Sequence, residues 1–208
     1  MSSLDSTQPK IGLRERKKQQ TRETIARAAL RLFALRGYDE TTLAEIAEAA
    51  EVAPRTIFAY FDSKEDILFC DEPRHYEQLK QMLEDRPPDT TTVDVLRDFI
   101  SSIASQDENA KLRKKIVRAD EGLCLSERAR FGRIEQLIEE SIAKDLGAAP
   151  DDFRPPIVAA SITAALTTVH DRLEAQSGEP ISHEQGMAIL DEVLEFLRGG
   201  LEGLRRAN

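Results

Sequence analysis

The sequence predicts an all-α protein of about nine helices, and three observations predict it. Apolar residues recur at three- and four-residue spacing through most of the chain, which places them on one face of a helix. No alternating pattern of strand length competes with that period. The breaks between periodic stretches carry helix start and stop chemistry: Gly37, Arg86-Pro87-Pro88-Asp89, Gly147 to Pro150, and Arg154-Pro155-Pro156.

Residues 1–12 are polar, include Pro9 and are expected to be a flexible arm. The first helix is expected over 13–36, with Ile25, Ala28, Ala29, Leu32 and Phe33 as its apolar stripe and Gly37 as its end. Its first turns carry Arg14, Arg16, Lys17, Lys18 and Arg22. After the loop Gly37–Thr41, Thr42 and Glu45 have the T-x-x-E spacing of a capping box, so a helix should start at Leu43. Leu43, Ile46, Ala47 and Ala50 form its inner face. The link Ala50-Glu51-Val52-Ala53 has the length of a helix-turn-helix turn. Pro54 suits the first turn of the next helix, where a missing N–H costs nothing. Ile57 and Phe61, four apart, should pack inward. Ser63 and Asp66 make a second capping pattern and start a further helix at Lys64.

That helix is expected to run to about Asp85 on Ile67, Leu68, Tyr76, Leu79, Met82 and Leu83. The next, Thr92 to about Ser105, turns Val95, Leu96, Phe99, Ile100 and Ile103 inward. A short helix follows over Lys111–Arg118, and a longer one over Leu123–Leu146, with Phe131, Ile134, Leu137, Ile138 and Ile142 on one face. The helix over about 155–176 is rich in small residues, including Ala160 and Ala164, which let helices approach closely. After the breaker Gln176–Pro180, Met187, Leu190, Leu194, Leu197, Leu201 and Leu204 follow at spacings of 3-4-3-4-3, an a/d-type seam.

The ordered set Thr42, Ile46-Ala47, Ala50, Val52, Thr56, Phe58, Tyr60-Phe61 and Ser63-Lys64-Glu65 resembles the DNA-binding signature of the TetR family of transcription regulators. The resemblance covers roughly a quarter of the chain. It implies a DNA-binding domain over 13–62 and an all-helical ligand-binding and dimerisation domain over 63–208. Three departures stand out: Glu51 where the turn usually has Gly, Ala53 where Ser or Thr usually caps, and Phe58-Ala59 where many members have tyrosines. A non-Gly residue held at positive φ costs on the order of 1 kcal/mol, and the missing cap costs about as much.

The expected DNA contacts are Arg14, Lys17, Lys18, Arg22, Thr42, Pro54, Arg55, Thr56, Tyr60 and Lys64. Arg55, early in the second motif helix, is the candidate base reader, because an arginine there can bond bidentately to guanine. The basic run of the first helix is expected to contact phosphates, which position a protein without reading bases. Lys10 can reach the backbone as well. Thr42 and Lys64 stand at helix N-termini, which favour anions. Two recognition helices of a homodimer would enter successive major grooves about 34 Å apart, so double-stranded DNA with an inverted-repeat operator is the expected partner. The expected dimer interface is Ala160, Ala164, Met187, Leu190, Leu194, Leu197 and Leu201, joined in a four-helix bundle. The resemblance further implies a repressor released by a small-molecule effector of unknown identity. Candidate effector contacts are Phe99, Ile103, Cys124, Phe131, Thr163, Thr167 and His170.

Composition bounds the alternatives. The 208 residues carry a net charge of −9, which looks wrong for a DNA binder until it is divided. Residues 1–70 hold 11 basic and 11 acidic residues, leaving 18 basic against 27 acidic for the rest. Within 10–36 there are nine basic residues and two acidic ones, so the field is polarised along the chain. No apolar run approaches the ~20 residues of a membrane span, and the first residues lack a signal-peptide core. A cytoplasmic protein with two free thiols, Cys70 and Cys124, is expected. No cofactor is implied. Asp71, Glu72 and His75 lie within one helical turn, but no fourth ligand is near in sequence, so no metal is expected. An enzyme is disfavoured by the lack of a Gly-rich phosphate loop or paired catalytic acids. An effector-independent DNA-organising protein and an activator are the alternatives that share this fold.

Overall fold

The computed structural model describes residues 12–104, 109–175 and 183–206. Every regular element among them is an α-helix: α1 (Leu13–Arg36), α2 (Leu43–Ala49), α3 (Pro54–Ile57), α4 (Lys64–Leu68), α5 (Glu72–Glu84), α6 (Thr92–Ala104), α7 (Ala110–Arg118), α8 (Glu121–Leu146), α9 (Arg154–Ala175) and α10 (His183–Arg206). The all-α expectation holds. There are ten helices among the described residues rather than about nine because the stretch from Lys64 does not run through to Asp85. It stops at Leu68, and Pro73 stands in the first turn of α5. A proline there would set its ring against the Phe69 carbonyl of a continuous helix, so the helix breaks instead. The arm over residues 1–11 with Lys10, the expected helix end at Ser105 and the Gln176–Pro180 connection lie outside the described residues.

By its internal contacts the chain forms two compact units. The first is Met1–Cys70 with Asn109–Leu123, and the second is Asp71–Glu108 with Cys124–Asn208. In the first, α1 packs against α2, α4 and α7, and α2 against α3. The core is Ile25, Ala29, Leu30 and Phe33 of α1 with Ile46, Ala47, Ile57, Phe61, Ile67, Leu68 and Val117. On α1, Ala26 and Leu30 are buried, while Ala28 and Leu32 are only half-buried. The stripe is turned because α1 is covered from a second side by α7, a helix distant in sequence. The Arg113 Nε of α7 donates to the Leu68 carbonyl at 2.9 Å.

The second unit holds α5, α6, α9, α10 and most of α8. Its core runs through Leu79, Leu83, Val93, Leu96, Phe99, Ile138, Ile142, Ala159, Ile162, Leu190, Leu194 and Leu201. α6 packs on both α5 and α10, and α10 packs on α9. The proline-broken loop between α5 and α6 is tied to α8 by polar groups. The Arg86 guanidinium lies 2.7 Å from Asp145, and Asp145 accepts from the Thr92 N–H at 2.8 Å and its hydroxyl at 2.7 Å. Thr92 and Ser141 share a buried hydroxyl–hydroxyl bond of 2.8 Å. These partners satisfy groups whose burial would otherwise be costly.

Candidate nucleic-acid interface

The motif is built by caps at each end of α2. Thr42 Oγ1 accepts from the Glu45 N–H at 3.2 Å, and the Glu45 carboxylate accepts the Thr42 N–H at 2.8 Å. This is the capping box that the T-x-x-E spacing predicts. The Thr42 backbone N–H and then its hydroxyl hold the Glu45 carboxyl below its usual range, with Arg36 adding to the effect against some desolvation. At the other end the Val52 N–H reaches the Ala47 carbonyl at 2.9 Å, and the Glu51 N–H reaches Glu48 at 3.1 Å. That pair of bonds is a Schellman motif, and it requires a left-handed residue between helix and turn. Glu51 fills the position at φ 54°.

α3 begins with Pro54 in its first turn, and Ala53 contributes no side-chain cap. The helix continues as a tightening turn through Phe61, whose N–H bonds to Ile57 at 2.9 Å, as does that of Tyr60. Ile57 and Phe61 are buried. The outward face is Pro54, Arg55, Phe58 and Ala59, all exposed, with Thr56 and Tyr60 half-buried at its margin. Arg55 makes no side-chain bond to any described residue. Sequence reasoning therefore placed Arg55 and Pro54 on the open face but put Thr56 and Tyr60 ahead of Phe58 and Ala59. The buried spacing Ile57/Phe61 carried part of the missing signal, since positions 55 and 59 lie opposite that pair, whereas Phe58 lies at its flank.

Two of the expected phosphate contacts are engaged within the protein. Arg22 donates to the Tyr60 carbonyl at 2.8 Å, and its guanidinium lies 4.3 Å from the Phe61 ring centroid. It thereby fixes the recognition segment against α1. Lys64 Nζ donates to the Tyr38 and Asp39 carbonyls at 2.8 and 3.2 Å and sits 4.6 Å from the Tyr38 ring centroid. It closes the α1–α2 loop. Tyr38 in turn packs on Phe33 with ring centroids 5.0 Å apart and the planes tilted by 54°. Its phenol is pushed up to about 12, first by burial and then by the carboxylates of Glu65, Asp120, Asp39 and Asp66. Arg14, Lys17 and Lys18 are exposed on α1 without side-chain partners among the described residues. Thr42 is exposed as well.

In the second unit the expected interface residues divide. Ala160 and Ala164 are exposed on α9. Leu190, Leu194 and Leu201 are buried at 6%, 1% and 2% exposure, and Met187 and Leu197 pack against the same core. The leucine seam is thus spent inside the protomer. The large apolar residues that α10 leaves open are Ile189 and Phe196, the latter 80% exposed. The expected effector contacts divide too. Phe99 is buried and Ile103 packs on the core, Cys124 is half-buried, and Phe131 and Thr167 are exposed. The Thr163 hydroxyl is buried without a partner among the described residues. The His170 side chain lies outside the described residues. Cys70 and Cys124 form no disulfide. Glu72 is paired with Arg130 at 2.8 Å, and no group of three or more metal-ligating side chains occurs among the described residues. Nor is any helix among them long and apolar enough to cross a membrane.

A capped helix, a Schellman turn and a proline-started helix with an open arginine face, flanked by an exposed basic helix, define a helix-turn-helix protein of the DNA-binding class. Residues 25–69 match the bacterial regulatory proteins of the tetR family. The transcriptional regulator TcmR of Streptomyces glaucescens is 31% identical over 176 residues, covering 78% of this chain and 76% of that one. The chain belongs to the TetR family and is a transcriptional regulator. Its fold is shared with SmeT of Stenotrophomonas maltophilia in a triclosan complex, at TM-score 0.64 and 24% identity over 86% of this chain and 91% of that one. It is shared also with FadR of Bacillus subtilis bound to stearoyl-CoA, at TM-score 0.59 and 22% identity over 84% and 96%.

Proposed function

We propose that this regulator is a repressor that binds an inverted-repeat operator as a homodimer and leaves it when a small molecule binds the second unit. The observation that carries the reading is the open face of residues 54–59, with Arg55 on a turn fixed by caps on either side and by Arg22 from beneath. A side chain held on a fixed frame can select bases, because the ordering entropy is spent in folding rather than in binding. Arg14, Lys17, Lys18 and Thr42 supply phosphate contacts at its flank. The functional division is a DNA-binding segment over 13–62 and an effector and dimer segment over 63–208, in the cytoplasm.

The leucine seam is unavailable, so the second copy seats on the other side of α10. Ile189, Val193, Phe196, Gly200 and Gly203 recur there at spacings of 4-3-4-3, and α9, which packs on α10, leaves Ala160 and Ala164 exposed. A Cβ placed at Gly200 or Gly203 would meet no atom within 4 Å, so the glycines are not required by packing within the protomer. Each costs about 1 kcal/mol in a helix interior, a cost offset where a second backbone comes close. The effector reading is supported by the triclosan and stearoyl-CoA complexes of the structural relatives and by the orphaned Thr163 hydroxyl, which a ligand's polar group would satisfy. A coupling of about 1–3 kcal/mol between effector and DNA is enough for release.

The test is selection of bound sequences from a random duplex pool, followed by affinity against salt for the wild type and for Arg55→Ala. An inverted repeat with a steep salt dependence is expected. The variant should lose about 1–3 kcal/mol on the selected site and relax its preference at one base pair per half-site. Enrichment of nothing at low salt would remove the regulator reading from this face.

A further inference from the structure

Phe58 is the exposed aromatic residue of this face. It is 61% exposed at the end of α3, while its neighbours Ile57 and Phe61 are buried. It keeps the right-handed helical conformation, φ −65° and ψ −13°, so it lies on the same helical surface as Arg55, three residues earlier. The other members of that open face are Pro54 and Ala59, both small and without side-chain donors. Phe58 also lacks a hydroxyl, so it cannot serve as a phosphate donor. What an apolar ring can recognise in the major groove is the one apolar group displayed there, the 5-methyl of thymine.

We infer that Phe58 is a specificity-determining residue that packs on a thymine 5-methyl group, beside the base pair read by Arg55. The inference rests on the DNA-binding reading of this face. Side chains three apart on a helix are separated by about 5–6 Å at Cβ, and base pairs rise about 3.4 Å. The methyl therefore belongs one or two base pairs from the guanine bound by Arg55. The proposal assigns each half-site of the operator a guanine and a thymine at that separation.

The test uses the intact protein and the duplex recovered by selection, with each thymine replaced in turn by deoxyuridine, which removes only the methyl. Binding is measured for the wild type, Phe58→Ala and Phe58→Tyr. Losing one buried methyl contact weakens binding about fourfold, so symmetric replacement in both half-sites should weaken the wild type about 15-fold at one position. Phe58→Ala should bind the thymine site about 15-fold more weakly and be indifferent to the replacement. Phe58→Tyr keeps the ring and should keep the sensitivity. Matching thermal melts of Phe58→Ala and wild type separate this from a folding defect. A selected site at which every deoxyuridine replacement is silent, or a Phe58→Ala variant that keeps the full methyl effect, overturns the proposal and leaves the regulator reading intact. A uniform loss in Phe58→Ala on all duplexes also overturns it and makes the ring a backbone contact. If selection recovers no site, the underlying reading fails and this inference fails with it.

Discussion

A single backbone angle shows how much the motif tolerates. Two helices among the described residues end in the same Schellman arrangement. At the end of α8 the Ala148 N–H reaches Ala143 at 2.9 Å and Gly147 reaches Lys144 at 3.2 Å, with Gly147 at φ 58°. At the end of α2 the same bonds are made around Glu51 at φ 54°. Glycine enters this region freely, whereas an L side chain there costs about 1 kcal/mol or more. Glu51→Gly is therefore expected to raise stability by up to about 1 kcal/mol in denaturant unfolding, less some gain in unfolded-state entropy. The turn geometry, and with it the selected DNA sequence, should be unchanged. A loss of stability would mean that the exposed Glu51 side chain makes a contact that outweighs the strain.

At the scale of elements, the short helices α2, α3 and α4 have four to seven residues each, too few to be stable alone. Their ends are fixed from outside: the capping box at Thr42, the Ser63 cap that accepts from Asp66 at 3.0 Å, Arg22 beneath the recognition segment, and Lys64 across the α1–α2 loop. Lys64 separates two readings. As a phosphate contact its loss would lower the salt slope of DNA binding by about one. As the clasp on the Tyr38 and Asp39 carbonyls its loss removes two charge-assisted bonds, worth about 1–3 kcal/mol together after allowing for partial exposure. Lys64→Met is expected to lower stability by that amount and to leave the salt slope unchanged. A salt slope reduced by one with unchanged stability would return Lys64 to the phosphate backbone.

For the whole molecule, the last helix carries two apolar seams, and burial distinguishes them. The Leu190, Leu194 and Leu201 seam fills the protomer's own core, and the Ile189, Phe196 and Gly200 side faces out. Changes on the two seams should have different consequences. Leu194→Ala, at a residue 1% exposed, is expected to cost about 2–5 kcal/mol of folding stability. Phe196→Glu should leave the protomer folded, with near-native helix content by circular dichroism, yet run as a monomer in sedimentation and lose the gain in affinity on a two-half-site operator. If Phe196→Glu stays dimeric, the partner seats elsewhere. Charge pairs brace the inner seam against α6: Arg97 bonds Asp191 at 2.6 and 3.0 Å, and Arg198 pairs with Asp94. Burial alone would raise the Asp94 carboxyl, but Thr91 and Arg198 together hold it below its usual range.

The sequence by itself determined whatever depends on near neighbours along the chain. The helical period, the capping box at Thr42, the proline start at Pro54, the cap at Ser63 and the positive φ forced on Glu51 are all local, and the motif with its family resemblance is assembled from them. The tertiary structure decided whatever depends on a partner distant in sequence. Only packing against α7 shows why Ala26 and Leu30, rather than Ala28 and Leu32, line the core face of α1. Only the fold shows that Lys64 and Arg22 grip carbonyls 26 and 38 residues away, or that Phe58 joins Arg55 on the open face of the recognition segment. The 3-4-3 spacing of the leucines on α10 specifies a buried stripe but not what buries it, because a protomer's own core and a second copy present the same apolar surface to a helix. That choice rests with the helices that reach the stripe first, and here they belong to the same chain.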